Sequence, residues 1–398
     1  MSVYFVVLLS VLSSIALRGS KVLVSLSALH LGANSFMVGI LAALYAVFPL
    51  LLAVYAGRVS DRIGVRRPMM AGALVISLGI GIPVFVPGFP GLIACATLIG
   101  LGHIFFHVSV HNLIGAYGEG EARTRNFATF SLGQSIAAFL GPSLAGFSID
   151  GLGFRPTHVL LAAVAVLPAA ILASYPRVVP ARVAHSGAQP AGGSFALLGD
   201  APLRRTLIMS GVTLTGIELF TFYFPVYGRS IELTASVIGI VMSSYAVAAF
   251  IVRLGMHHAA RRIGEVGVLT ASLFVAGATY MLVPLVSQAA FLALMAFLLG
   301  IGLGCAQPLT ILLTYNHAPE GRAGEALGMR LTVNKFTQIA VPLVFGGLGS
   351  AFGLVPVFWA NGVFLLVGGI ISLAERRAVP AANKDPAAVV AEQEEEDT

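Results

Sequence analysis

Charged residues are scarce in this sequence: Asp, Glu, Lys and Arg fill 10% of its 398 positions, against about 25% in soluble domains. That excludes an ordinary solvated surface. Polar segments long enough to enclose a soluble core are also missing, because leucine- and alanine-rich runs recur nearly end to end and hydrophobic residues reach 57%. Cysteine is nearly absent. Cys95 and Cys305 each lie inside an apolar run with no metal-ligand spacing around them, so they read as small buried hydrophobes and not as a disulfide framework. No nucleophile-and-base arrangement and no HExxH pattern occurs, so the sequence predicts no enzyme and no bound cofactor. The net charge of +6 is spread over alternate loops, which argues for topology signals and against a nucleic-acid partner. Residues 1–17 lack a basic start and a small-residue cleavage site, so they read as a retained first helix. The sequence therefore predicts an all-α polytopic membrane protein whose principal surroundings are a lipid bilayer.

Twelve spans can be drawn, near 3–29, 36–56, 69–87, 91–115, 127–148, 157–174, 206–227, 235–256, 266–286, 288–314, 326–348 and 353–374. They group into a six-helix bundle over 1–174 and another over 206–375, with a Pro-, Ala- and Gly-rich linker at 175–205 and an acidic disordered tail at 376–398. Arginine and lysine between spans and at their ends fall almost wholly on one side, with Arg58, Arg123, Arg204, Arg253, Arg261 and Arg322 among them, whereas Arg155 and Arg229 fall on the other. The positive-inside rule then predicts both termini in the cytoplasm, in a cell (inner) membrane.

A repeat supports two halves. Arg62-Ile63-Gly64 recurs as Arg262-Ile263-Gly264, Tyr45-Ala46-Val47 as Tyr245-Ala246-Val247, and Gly39, Gly100, Pro142 and Gly146 as Gly239, Gly300, Pro342 and Gly346. The offset is 200 throughout, which points to parallel halves related by a pseudo-two-fold axis along the membrane normal.

Between the second and third spans the chain reads GRVSDRIGVRR. Glycine suits a tight turn, and an acid flanked by guanidinium groups can pin helix ends through charge-assisted bonds made in one conformation and broken in another. Gly57, Asp61, Arg62, Gly64, Arg66 and Arg67 fill every position of a pattern that resembles the signature loop of the major facilitator superfamily. The resemblance implies two six-helix bundles, twelve transmembrane helices, a central cavity at the bundle interface, and secondary transport of a small solute by one chain acting as a monomer. In the repeat copy Arg261 stands in place of Asp61, so the latch acid occurs once. In the fifth span, Gly141, Pro142 and Gly146 resemble the superfamily's antiporter motif, which implies export; close helix packing accounts for the same residues.

The fourth span departs from the family's proton-coupled exporters. Ala96 stands where their arginine precedes Gly100-Leu101-Gly102, and His103, His107 and His111 follow at four-residue spacing along one stripe. A pair of histidines at this spacing could hold a metal, neutral imidazoles could pass protons or meet the solute, and a purely structural role is open as well.

Ionisable residues inside a bilayer are costly and so are functional candidates. Arg18 and Glu218 lie deep in the first and seventh spans and are repeat partners; the resemblance places those two helices along the central cavity. Lys335 joins them in the eleventh span with Asn334 and Gln338. Lys21 is expected to reach toward the far interface, Arg330 to anchor at the near one, and Asp150 to be interfacial. The reading is a transporter of a small organic, anionic solute, coupled to protons and working in export, with Glu218 as proton carrier. A proton-coupled exporter of lipophilic drugs is the alternative, and a membrane sensor a more distant one.

Overall fold

The computed structural model describes residues 3–117, 120–175, 198–319 and 322–378. Most of the expected linker and acidic tail lies outside the described residues. The chain runs as α1 (Val3–His30), α2 (Ser35–Ile63), α3 (Arg66–Phe85), α4 (Phe89–Ala116), α5 (Gly120–Leu152), α6 (Phe154–Ser174), α7 (Ala201–Ser230), α8 (Ala235–Ile263), α9 (Glu265–Leu282), α10 (Ala289–Gly304), α11 (Ala306–Asn316), α12 (Ala323–Phe352) and α13 (Leu354–Ala378). α10 and α11 are two parts of one span, giving twelve spans in two bundles.

Polar side chains fix where three of the helices begin. α7 begins at Ala201, inside the stretch expected as linker, because the Asp200 carboxylate accepts the Leu203 amide at 3.1 Å and Pro202 occupies the first turn. The side chains of Asn34 and Thr234, themselves 200 residues apart, cap α2 and α8 in the same way.

The offset of 200 extends to the backbone. Positive φ occurs at Gly64 (84°) and Gly264 (78°), at Gly153 (87°) and Gly353 (85°), and at Gly32 (83°) and Glu232 (63°). Glu232 thus keeps a left-handed turn that its partner makes with glycine.

Among the described residues, eleven helical spans are long and apolar enough to cross a membrane. The remaining span, α12, carries Arg330, Asn334, Lys335 and Gln338, which turn inward to a cavity and leave Phe336 and Val344 exposed. Large apolar side chains exposed on other helices, such as Leu51, Leu78 and Leu254, suit contact with lipid and would be a liability in water.

The break at Cys305 has a local cause. Pro308 has no N–H for the Gly304 carbonyl, which accepts the Arg253 Nε at 2.8 Å instead. Arg253, counted as a topology signal near the end of its span, is therefore a half-buried residue of α8, where it also donates to Ser135 Oγ on α5 at 3.1 Å.

The main joints between the bundles are α2 with α12 and α5 with α8, supported by α1 with α7. Toward the face away from the signature loop these joints are backbone-tight. Gly39 lies against the Pro342 carbonyl, Gly239 against that of Pro142, and Gly146 against that of Ala235. Asp150 seals the same end. Its carboxylate accepts the amides of Ala235 (3.1 Å) and Ser236 (2.7 Å) and the Ser236 hydroxyl, capping α8 from the other bundle. No extensive packing of α4 against α11 occurs among the described residues. The bundles are closed at the far face and part at the signature-loop face.

Candidate functional site

Between the bundles lies a cavity of about 470 Å³, in the range of small-molecule sites. Each candidate on the predicted solute and proton path lines it: Arg18, Glu218, Lys335, Asn334, Gln338, His103, His107 and His111. Lys21, Arg330, Gln307, Gln134 and Tyr45 line it too. Hydrophobic walls come from Leu17, Leu214, Ile217 and Ile311.

Glu218 is 5% exposed and sits in a short chain of polar contacts. Its Oε2 is 3.7 Å from Lys21 Nζ, and its Oε1 accepts the Gln338 amide at 3.1 Å. The Gln338 Oε1 in turn accepts Lys335 Nζ at 2.9 Å. Lys21 also lies 4.8 Å from the centroid of the Phe222 ring. The expectation that Lys21 reaches the far interface is corrected: it is the cation beside Glu218, because inward burial of its charge is met by that carboxylate. Arg18 has no hydrogen-bond or ion-pair partner among the described residues and presents its side chain to the cavity.

Arg330 is a second correction. It is 3% exposed and not an interfacial anchor. Its Nη2 donates to the Gln307 carbonyl (3.2 Å), Gln307 Oε1 (2.7 Å) and Thr310 Oγ1 (2.9 Å), so α11 holds it in the cavity wall. Asn334 Oδ1 accepts the Ser210 hydroxyl at 2.9 Å, joining α12 to α7.

The α4 histidines form a ladder. Ring centroids are 5.0 Å apart for His103 and His107 and 4.2 Å for His107 and His111, and His111 meets Phe130 edge-on at 5.0 Å. No cluster of three or more His, Cys, Asp or Glu that could hold a metal occurs among the described residues.

The signature-loop residues lie outside the cavity. Gly64 makes the turn. Gly57 does not: it lies inside α2, and a Cβ added to it would meet nothing within 4 Å, because the helix runs on to Ile63. Arg66 donates twice to the Leu172 carbonyl, at 3.2 and 2.8 Å, anchoring α3 to the end of α6. Asp61, Arg62 and Arg67 are exposed at the face where the bundles part. In α5, Gly141 packs on Gly19 and Arg18 of α1, whereas Pro142 and Gly146 form the far seam.

Sequence and structure both match known proteins. The profile of the Major Facilitator Superfamily matches residues 4–334 and again 206–393. The chain belongs to this superfamily. Its members are membrane transporters, and the twelve spans around a polar cavity described above are those of a transporter. The multi-drug resistance efflux pump PmrA of Streptococcus pneumoniae is 21% identical over 87% of both chains. A human chromaffin granule amine transporter is 28% identical over 34% of this chain, a match that spans 26% of that protein. Among solved structures, a POT family transporter in complex with a thioalcohol-conjugated peptide superposes with a TM-score of 0.80 at 14% identity, covering 94% of this chain and 96% of that one. A bacterial homologue of the human lysosomal transporter Spinster, solved inward-facing and unoccupied, gives 0.76 at 14% identity, covering 94% and 96%. At such identities the structural likeness establishes the fold.

The transporter cavity contains residues that the sequence reading passed over, and the repeat holds the signal that finds several of them. Leu17 and Ile217, Lys21 and Thr221, His107 and Gln307, Phe130 and Arg330, and Gln134 and Asn334 are pairs 200 apart whose members all line the cavity. Adding 200 to the histidine stripe and subtracting it from the polar positions of α12 would have indicated Gln307 and Gln134.

Proposed function

We propose that this transporter moves a small organic anion by alternating access and that Glu218 carries a coupled proton. The observation that carries this reading is the charge of the cavity: Arg18, Lys21, Arg330 and Lys335 face one carboxylate, Glu218. Fixed cations in a desolvated space favour an anion and disfavour a cationic drug. Arg18, without a partner, and Lys335 receive the anionic group. Lys21 and Gln338 hold Glu218 while the site is empty. An anion that draws Lys21 and Lys335 toward itself leaves Glu218 without its counter-charge, and a proton then replaces it. A proton on Glu218 conversely frees Lys21 for the anion. Solute and proton therefore favour each other's binding, and by linkage each raises the other's affinity by the same factor. The histidine ladder lines the same cavity from the facing bundle and gives the proton a way toward the signature-loop face. We place that face in the cytoplasm, since most basic residues between spans lie there, and take the chain to work as a monomer.

The second reading, export of lipophilic compounds in exchange for protons, is favoured by the similarity to the pump PmrA across most of the chain. Proteoliposomes decide between them. Radiolabelled organic anions are offered under an imposed pH gradient to wild type, Arg18→Ala and Glu218→Gln. The expected outcome is that Arg18→Ala weakens anion affinity roughly 10- to 100-fold, as for a lost charged hydrogen bond, while Glu218→Gln permits exchange but abolishes accumulation. Uphill transport by Glu218→Gln with unchanged pH dependence would remove Glu218 as the proton carrier. Uptake of cationic compounds with no anion transport would favour the second reading.

A further inference from the structure

The cavity holds two separate sets of donors, and only the deeper one is used by the mechanism above. The second lies nearer the signature-loop face, where α11 and α12 meet. Arg330 spends one nitrogen, Nη2, on all three of its hydrogen bonds. Its Nε is buried without a partner, its Nη1 makes no hydrogen bond among the described residues, and the buried Gln307 Nε2 is unpaired as well. On the facing wall the buried His111 Nε2 is also without a partner. Buried donors left unpaired are destabilising, more so on a charged group, and few occur in folded proteins. Here they gather beside a cavity, around an arginine that is only 3% exposed.

We infer that Arg330 and Gln307 form a second anion subsite, so that the solute is an organic dianion with an apolar body between its charged groups. This inference rests on the anion reading of the cavity. Arg330 and Lys335 are five residues apart on α12, a rise of about 7.5 Å along the helix axis, so the two subsites lie at different depths. The wall between them is apolar, with Leu331, Ile311 and Leu214 facing the space. Arg18 and Lys335 take one acidic group. The Arg330 guanidinium and the Gln307 amide take the other, with a modest shift of the Gln307 side chain to bring its unpaired N–H to the ligand. A monoanion bound at the deep subsite leaves these donors unmet, so selectivity follows from desolvated groups that only the second acid satisfies.

Ligand-induced shifts in melting temperature of the purified full chain test this. The probes are straight-chain monocarboxylates and dicarboxylates of four to eight carbons, titrated against wild type, Arg330→Gln, Gln307→Leu and Arg18→Ala. Wild type is expected to prefer dicarboxylates by roughly 10- to 100-fold, with one chain length favoured over shorter and longer ones. Arg330→Gln and Gln307→Leu should each collapse the ratio of the two affinities, whereas Arg18→Ala weakens both classes. The ratio is read within one variant, and two variants are used, so loss of folding in one does not decide the matter. A wild type that binds both classes equally, or a ratio unchanged in Arg330→Gln and Gln307→Leu, overturns the subsite and leaves the anion reading intact. Failure of both classes to bind while cationic compounds stabilise the protein overturns the anion reading and this inference with it.

Discussion

Gly239→Ala should open the far seam of the transporter. A Cβ at Gly239 would lie 2.6 Å from the Pro142 oxygen, 3.2 Å from the Pro142 carbonyl carbon and 3.3 Å from Ser143 Cα. All three obstacles are backbone, so no side chain can rotate away, and α8 must back off from α5. Overpacking of this kind costs about 1–3 kcal/mol. The clash exists only while the seam is closed, so the penalty falls on the conformer described here. The balance between closed and open seams then shifts by roughly 5- to 150-fold. Spin labels at Leu152 and Glu232, both exposed near the ends of α5 and α7, report the separation by pulsed dipolar spectroscopy. The native Cys95 and Cys305 are 0% and 1% exposed and should remain unlabelled. Gly347→Ala is the control, because nothing lies within 4 Å of its Cβ position. The expected result is a longer-distance population in Gly239→Ala and none in Gly347→Ala. If folded Gly239→Ala keeps the wild-type distance distribution, the seam does not set the conformational balance and the reasoning is refuted.

Three other substitutions test the helix break and the signature loop. Arg253→Met leaves the Gly304 carbonyl without its donor and breaks the link to Ser135; the expected loss is about 1–3 kcal/mol of stability, read as a lower melting temperature, and Pro308→Ala should recover part of it by restoring an N–H to the helix. Asp61→Asn should lower flux per folded molecule far more than folded yield, since its charge is placed at the face where the bundles part; unchanged flux in proteoliposomes would dispose of the latch.

The seam, the cavity and the signature loop differ in how far the chain announces them. Twelve spans follow from apolar runs because every backbone polar group in a bilayer must be paired within a helix. The constant offset of 200 also follows from residue identities alone, and it persists in the backbone even where chemistry has changed, as at Gly32 and Glu232. Depth along a helix located Arg18, Glu218 and Lys335. Rotation about the helix and the choice of partner were beyond that argument. Lys21 and Arg18 are less than one turn apart, and only the packing of α1 against α7 decides that Lys21 meets Glu218 while Arg18 opens to the cavity.

Sequence by itself thus determined the membrane class, the two halves, the family loop and the polar residues that have to avoid lipid, because each rests on composition or on spacing within one helix. Tertiary structure alone decided that Arg330 belongs to the cavity wall, that Arg253 mends the break before Pro308, and that Pro142 and Gly146 form the far seam. These are contacts between helices distant in the chain, and local periodicity carries no information about which neighbour a buried side chain will meet.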